Sequence, residues 1–185
     1  MNNTQIIQGS LGAIAQQNNK SIAESFVNAD CIIIVDTSSS MGQHDSRGGK
    51  SRYEVACEEL KTLQGNMQGK LAILSFSDDV IFCPNGIPFN YESMTDLAKA
   101  LKFAKMGDVT GMRFIVISDG EPNSEDEALK VAKTYKNRID TIYVGPENGS
   151  GQAFLKRLAQ ASGGTGVTSA QVKELESTVK HLLTA

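Results

Sequence analysis

The chain has 185 residues, 40% hydrophobic and 21% charged, which is enough for one globular domain with a full core and too short to predict two. A formal net charge of -3 supplies no basic field for a phosphate backbone, and no apolar run approaches the roughly 20 residues of a membrane span, so nucleic-acid binding and membrane insertion are set aside. Cys31, Cys57 and Cys83 are odd in number, far apart and each inside an apolar stretch, which predicts buried free thiols rather than a disulfide framework or a zinc site.

The first residues lack the positive start and continuous apolar core of a signal peptide, so the expected location is cytoplasmic. Ile6, Ile7, Leu11 and Ile14 have helical spacing, and Ile22, Ala23, Phe26 and Val27 repeat it after the Asn18-Asn19-Lys20 interruption. The reading is an N-terminal helical extension over 1–28 and one domain over 29–185. The extension either packs on the domain's own flank or serves as a docking arm for a partner, the former being the simpler account.

Cys31 to Val35 is an apolar, β-branched run without alternation, the pattern of a central parallel strand buried on both faces. It ends in Asp36-Thr37-Ser38-Ser39-Ser40, which puts a carboxylate and two hydroxyls at every second position just where the strand opens into a loop. Short side chains with oxygen tips suit a hard cation such as Mg²⁺, which keeps octahedral geometry at roughly 2.0 to 2.1 Å. A glycine-rich loop, 41–50, leads to a helix opened by the capping box Ser51/Glu54, with Tyr53, Ala56, Cys57, Leu60, Leu63 and Met67 on one face.

Leu71 to Phe76 reads as a second strand and Val80 to Cys83 as a third, the link between them being so short that the pair is antiparallel. A loop from Pro84 to Thr95 precedes a helix over 96–105. Phe114 to Ile117 is the next buried strand, and it too ends in a carboxylate, in Ser118-Asp119-Gly120-Glu121-Pro122-Asn123. Ser124 and Glu127 form a second capping box for a helix reaching about Tyr135. Strand 139–144, helix 152–162, a short strand 166–168 and a closing helix 172–183 follow. The alternation predicts a doubly wound, Rossmann-like open α/β sheet of about six mostly parallel strands, with one antiparallel edge strand and helices on both faces. Ligands of such sheets bind beyond the strands' carboxyl ends where strand order reverses, so Asp36 and Asp119 would face one cation if their strands are neighbours there.

Asp36-Thr37-Ser38-Ser39-Ser40 resembles the DxSxS signature of von Willebrand factor type A domains, and Ile117 to Asn123 resembles their second acidic motif. Lys50-Ser51-Arg52-Tyr53, Phe76-Ser77-Asp78-Asp79 and Thr95-Asp96-Leu97-Ala98 fall in the family's order, from about residue 29 to the C-terminus. The resemblance implies a metal-ion-dependent adhesion site at Asp36, Ser38, Ser40, Thr95 and Asp119, holding Mg²⁺, with Mn²⁺ or Ca²⁺ as alternatives. It further implies an open coordination position that an Asp or Glu of a protein partner completes. Thr110 has the more glycine-rich context but lies close to the Phe114 strand and has no helix after it, so Thr95 is the preferred loop position.

Competing readings use the same residues. Asp and Ser after a strand are ordinary turn and cap residues, and only the pairing with Asp119 favours a metal. Glu121 reads as a solvated loop acid, Asp78 and Asp79 as turn residues, and His44 and Asp45 as part of a mobile polar loop. Gly48-Gly49-Lys50-Ser51 resembles the tail of a P-loop, but GxxxxGK[ST] needs glycine where His44 stands. A Mg²⁺-dependent phosphatase with Asp36 as nucleophile needs a second acid two residues on, where this chain has Ser38. The sequence therefore reads as a non-catalytic, cation-dependent protein-binding module. The alternative is a metal-independent scaffold that assembles through its N-terminal helical segment.

Overall fold

Strand β1 (Cys31–Asp36) is the centre of the sheet and all six of its residues are buried. In the computed structural model, which describes residues 5–89, 93–146 and 149–168, Ile32 and Ile34 face one hydrophobic cluster while Cys31, Ile33 and Val35 face another. Alternate side chains leave a strand on opposite faces, so a run with no polar member can only sit between two covered faces. The closing helix expected over 172–183 lies outside the described residues.

The chain enters through helices α1 (Leu11–Gln17) and α2 (Ile22–Val27), each opened by a serine whose hydroxyl accepts a backbone N–H of the first turn. These segments lie on the molecule's own flank: Ile7 N–H donates to the Asn85 carbonyl, Gly12 N–H to that of Pro84 and Gly69 N–H to that of Gly9. Gly9 has φ +85°, and a Cβ there would lie 2.1 Å from the Gln64 carbonyl oxygen, so this approach requires glycine. Phe26 of α2 meets Phe82 edge to face at 5.5 Å between ring centroids.

Helix α3 (Arg52–Asn66) begins at the Ser51/Glu54 capping box, complete in both directions. It lays Ala56, Leu60 and Leu63 on the Cys31/Ile33/Val35 face. Strand β2 (Leu71–Phe76) is parallel to β1, and β3 (Val80–Phe82) is an antiparallel edge. Helix α4 (Leu97–Ala104), strand β4 (Arg113–Ser118), helix α5 (Glu125–Ala132), strand β5 (Ile139–Tyr143), helix α6 (Ser150–Ala161) and strand β6 (Gly166–Thr168) complete the described chain. Apolar residues of α4, α5 and α6 cover the Ile32/Ile34 face. The sheet order is β3-β2-β1-β4-β5-β6, with every pair but β2–β3 parallel. Among the described residues no helix is long and apolar enough to cross a membrane.

Three helix boundaries differ from the sequence expectation. Helix α1 starts only at Leu11, because the chain turns at Gly9, φ +85°, and leaves Ile6 and Ile7 outside it. Helix α5 stops at Ala132 rather than near Tyr135, and its capping box is half made. The Ser124 hydroxyl accepts Glu127 N–H, but the Glu127 carboxylate takes Lys130 Nζ at 2.8 Å, a pairing within the helix that competes with the box. Tyr135 is buried all the same, its hydroxyl donating to the Leu101 carbonyl and its ring edge-on to Phe114. Helix α6 starts at Ser150 rather than Gln152, because its first turn packs against the loop after β4. All three cysteines are free; Cys31 and Cys83 are buried as expected, while Cys57 is only half-buried.

Candidate metal centre

Strands β1 and β4 are parallel neighbours, with Val35 opposite Ile117, so Asp36 and Asp119 leave adjacent strands at the same edge of the sheet. Here the strand order reverses: from β1 the chain builds outward through β2 and β3, and from β4 through β5 and β6. This is the crevice in which open α/β sheets bind their ligands.

The loop after β1 directs its side chains alternately. Thr37 turns to the neighbouring strand end, its N–H and hydroxyl both donating to the Phe76 carbonyl. Ser38 turns back, its N–H donating to Asp36 Oδ1 at 2.9 Å and its Oγ lying 3.1 Å from Ser40 Oγ. Ser39 is exposed and its hydroxyl reaches the Ser93 carbonyl at 3.4 Å. Asp36 Oδ2 accepts the Ser118 hydroxyl at 2.6 Å, and Ser118 Oγ accepts Gly120 N–H at 2.9 Å.

Thr95 is buried and tied to the second acidic loop: its N–H donates to Asn123 Oδ1 at 2.9 Å and its carbonyl accepts Asn123 N–H at 2.9 Å. Thr110 is exposed and precedes the start of β4, at the opposite end of that strand from Asp119. The Asp119–Gly120 turn is pressed against helix α6. Gly120 has φ +80°, and a Cβ on it would lie 2.3 Å from the Gly151 carbonyl oxygen, while one on Gly151 would lie 1.9 Å from that of Asp119.

The electrostatics are those of an under-compensated anionic site. Asp36 is fully buried, and burial first, then the neighbouring Asp119 charge, push its carboxyl up to about 6 against the hydrogen bonds from Ser118 and Ser38. Asp119 is also buried; its Oδ2 accepts Arg52 Nη1 at 2.7 Å and its Oδ1 has no hydrogen-bond partner. Arg52 is itself clamped by Asp45, Nε to Oδ1 at 2.9 Å and Nη2 to Oδ2 at 2.6 Å, and by Gln43 Oε1 at 3.0 Å. The bond to Asp45 holds that carboxyl below the usual range, and the carboxylates of Asp45 and then Asp119 raise the guanidinium further.

Among the described residues no three His, Cys, Asp or Glu side chains gather as a metal cluster, so acidic groups alone do not make a site here. Asp36, Asp119, Ser38 and Ser40 bring two carboxylates and two hydroxyls to this crevice, and Thr95 is buried against the second acidic loop; oxygen donors of this kind suit a hard divalent cation. The orphaned Asp119 Oδ1 is an acceptor that such an ion would satisfy, because a buried carboxylate oxygen with no donor is costly. Asp36, Ser38, Ser40, Thr95 and Asp119 could hold the ion.

Other residues singled out from sequence have ordinary partners. His44 Nδ1 is 3.2 Å from the Gly49 carbonyl, Glu121 accepts the Ser150 hydroxyl at 3.0 Å, and Asp79 pairs with Lys99. Lys50 pairs with Glu58. The sequence reading missed Gln43 and the clamp made by Asp45, and it named Arg52, Ser118 and Asn123 only as parts of motifs. One signal was available: a cation in the first turn of a helix opposes the macrodipole, so Arg52 there needed a carboxylate partner.

A sheet ordered β3-β2-β1-β4-β5-β6, with an antiparallel edge at β3 and both acidic loops at the reversal, is a von Willebrand factor type A fold. No protein-family model matches the chain, and no curated protein matches it. Among solved structures the chain is similar to the manganese-loaded TRAP protein of Plasmodium vivax, at 18% identity over 84% of this chain and 73% of that one, with a TM-score of 0.63. It is also similar to proximal thread matrix protein 1 from the mussel byssus, at 20% identity and a TM-score of 0.53. That alignment covers 84% of this chain and 47% of the mussel protein, so the chain spans about half its length. At these identities the likeness establishes the fold.

Proposed function

We propose that the chain is a protein-binding module, not an enzyme, that works through a divalent cation held by Asp36, Ser38, Ser40, Thr95 and Asp119. The observation that carries this reading is the orphaned, buried Asp119 Oδ1 next to a fully buried Asp36. Mg²⁺ or Mn²⁺ supplies the missing positive charge, and the manganese carried by the Plasmodium vivax structure agrees with a divalent ion on this fold. Hydroxyl ligands carry no formal charge, so the ion stays electron-poor and an outside Asp or Glu completes its octahedron. Catalysis is not part of the reading: Ser38 stands where a phosphatase would carry its proton-transferring acid, and it is hydrogen-bonded to Ser40.

The test is isothermal titration of the chain with Mg²⁺ and Mn²⁺ beside Asp119→Ala. Saturable binding that Asp119→Ala weakens supports the reading. Equal heats from the two proteins, or none from either, remove it.

A second reading has an observation of its own. Ile22, Ala23 and Phe26 of α2, with Phe103 and Ala104 at the end of α4 and Met106 in the turn after it, line an apolar cavity of about 460 Å³. Ile22, Phe103 and Met106 are exposed there. A metal-independent scaffold that assembles through its N-terminal helices would use this surface.

A further inference from the structure

We infer that Arg52 sets the cation preference of the site by allowing Asp119 to present one oxygen only, which favours small octahedral ions, Mg²⁺ and Mn²⁺, over Ca²⁺. The inference rests on the metal-site reading above and goes beyond it to the choice of ion.

Arg52 is the first residue of α3, yet its guanidinium is almost wholly buried at the crevice. Four hydrogen bonds fix it. Two run in parallel to the Asp45 carboxylate, one goes to Gln43 Oε1, and the fourth, from Nη1, goes to Asp119 Oδ2 at 2.7 Å. Its backbone N–H also donates to the Gln43 carbonyl at 3.2 Å. A planar fork gripped on one side by a carboxylate cannot turn without breaking paired bonds, so the position of Nη1 is set before any ion arrives. Asp45 also offsets the guanidinium charge, so Arg52 can sit beside a cation site at a reduced electrostatic cost.

The consequence falls on Asp119. Its Oδ2 carries the guanidinium N–H, and a divalent ion chelated by both oxygens would have to approach that same oxygen against a fixed positive charge. Only Oδ1, buried and without a hydrogen-bond partner, is available. Asp119 therefore cannot chelate without drawing the ion against the Arg52 guanidinium. Asp36 faces no such charge: Oδ1 accepts Ser38 N–H and Oδ2 the Ser118 hydroxyl, and each oxygen keeps a lone pair for an ion. Ca²⁺ fills six to eight positions at about 2.3 to 2.6 Å and does so readily with bidentate carboxylates, whereas Mg²⁺ takes six single oxygens and keeps several waters. A site whose Asp119 offers a single oxygen suits the smaller ion. Arg52 is thus a positioning residue that acts through Asp119.

The experiment is calorimetric titration of the full chain with Mg²⁺, Mn²⁺ and Ca²⁺, in wild type, Arg52→Met and Arg52→Lys, with folding checked by circular dichroism. Wild type should bind Ca²⁺ more weakly than Mg²⁺. In Arg52→Met, Asp119 regains both oxygens and Ca²⁺ should gain on Mg²⁺ by about tenfold, the usual scale for losing a group that orients a metal ligand. Arg52→Lys keeps the charge without the fork and should move the ratio the same way by less. It carries the test if Arg52→Met does not fold. Infrared carboxylate stretches, which differ between one-oxygen and two-oxygen coordination, should change on Ca²⁺ loading in the variants and not in wild type. A folded variant with the wild-type ratio overturns the inference alone. A wild type that binds no cation overturns the metal-site reading and the inference with it.

Discussion

The Ser118 hydroxyl donates to Asp36 Oδ2 at 2.6 Å across the seam between β4 and β1, and accepts Gly120 N–H at 2.9 Å on its other side. One side chain therefore couples the first carboxylate of the crevice to the loop that carries the second. The bond pulls the Asp36 carboxyl down, against burial and the Asp119 charge, which push it up to about 6.

Ser118→Ala removes that opposing bond and leaves a buried carboxylate oxygen without its donor. Stability should fall by about 1 to 3 kcal/mol in denaturant unfolding, the cost of orphaning a buried acceptor. Affinity for Mg²⁺ at neutral pH should fall by about tenfold, because Asp36 gives up its proton less readily and is less well oriented. Unchanged calorimetric affinity would make Ser118 a strand-pairing residue only.

The Asp36 carboxyl makes stability depend on pH, with a sign opposite to that of a salt-bridged acid. Its folded value of about 6 lies above the roughly 3.9 of an unfolded Asp, so the folded state binds the proton more tightly. The resulting contribution is fully present below about pH 4 and is lost as pH rises through about 6. In EDTA, Asp36→Asn should be more stable than wild type at pH 7.5, by on the order of 2 to 3 kcal/mol, with the gap closing toward pH 4. Mg²⁺ should stabilise wild type more at pH 7.5 than at pH 5, since the ion competes with the proton. Thermal melts of both proteins with EDTA or Mg²⁺ at the two pH values check this, and parallel curves would refute it.

Gly151→Ala tests how the second acidic loop is held. A Cβ at Gly151 would lie 1.9 Å from the Asp119 carbonyl oxygen, so helix α6 or the Asp119–Gly120 turn must shift. The expected cost is about 1 to 3 kcal/mol, as for other overpacked positions. Cation affinity should fall with it. A protein destabilised but unimpaired in Mg²⁺ binding would mean that α6 yields and the site stays in place.

The strands were readable because β1 and β4 carry uninterrupted apolar runs that only a doubly covered sheet can bury. The two acidic loops were readable because each begins with the first carboxylate after such a run. The Arg52 clamp was not. Its bonds join residues 43, 45, 52 and 119, and periodicity says nothing of contacts made by long side chains across loops. Asp45 read as part of a mobile polar loop because its partner could not be seen. The second capping box was misjudged for a related reason: Ser124 and Glu127 satisfy the capping pattern, but Lys130 one turn on takes the glutamate.

The last prediction separates cation-bridged binding from assembly through the N-terminal helices. A suitable probe is an array of peptides in which each Asp- or Glu-bearing sequence is paired with its Asn or Gln counterpart, so that one charge is the only difference. If a partner carboxylate completes the ion's shell, binding should appear with Mg²⁺ or Mn²⁺, vanish in EDTA and fail for the amide partners. Asp119→Ala should abolish it as well, since that substitution removes an anionic ligand while β4 keeps its buried run from Phe114 to Ile117. The fold should survive EDTA, because the hydrophobic clusters on both faces of the sheet do not involve the site residues. The scaffold reading expects the reverse. Ile22→Asp or Met106→Asp, each charging an exposed wall of the apolar cavity, would then break the complex, and neither EDTA nor Asp119→Ala would matter. Those two positions discriminate better than Phe26, whose edge-on contact with Phe82 makes any charge there a folding defect too. Peptide binding that persists in EDTA and in Asp119→Ala would assign the interaction elsewhere and end the cation-bridge reading.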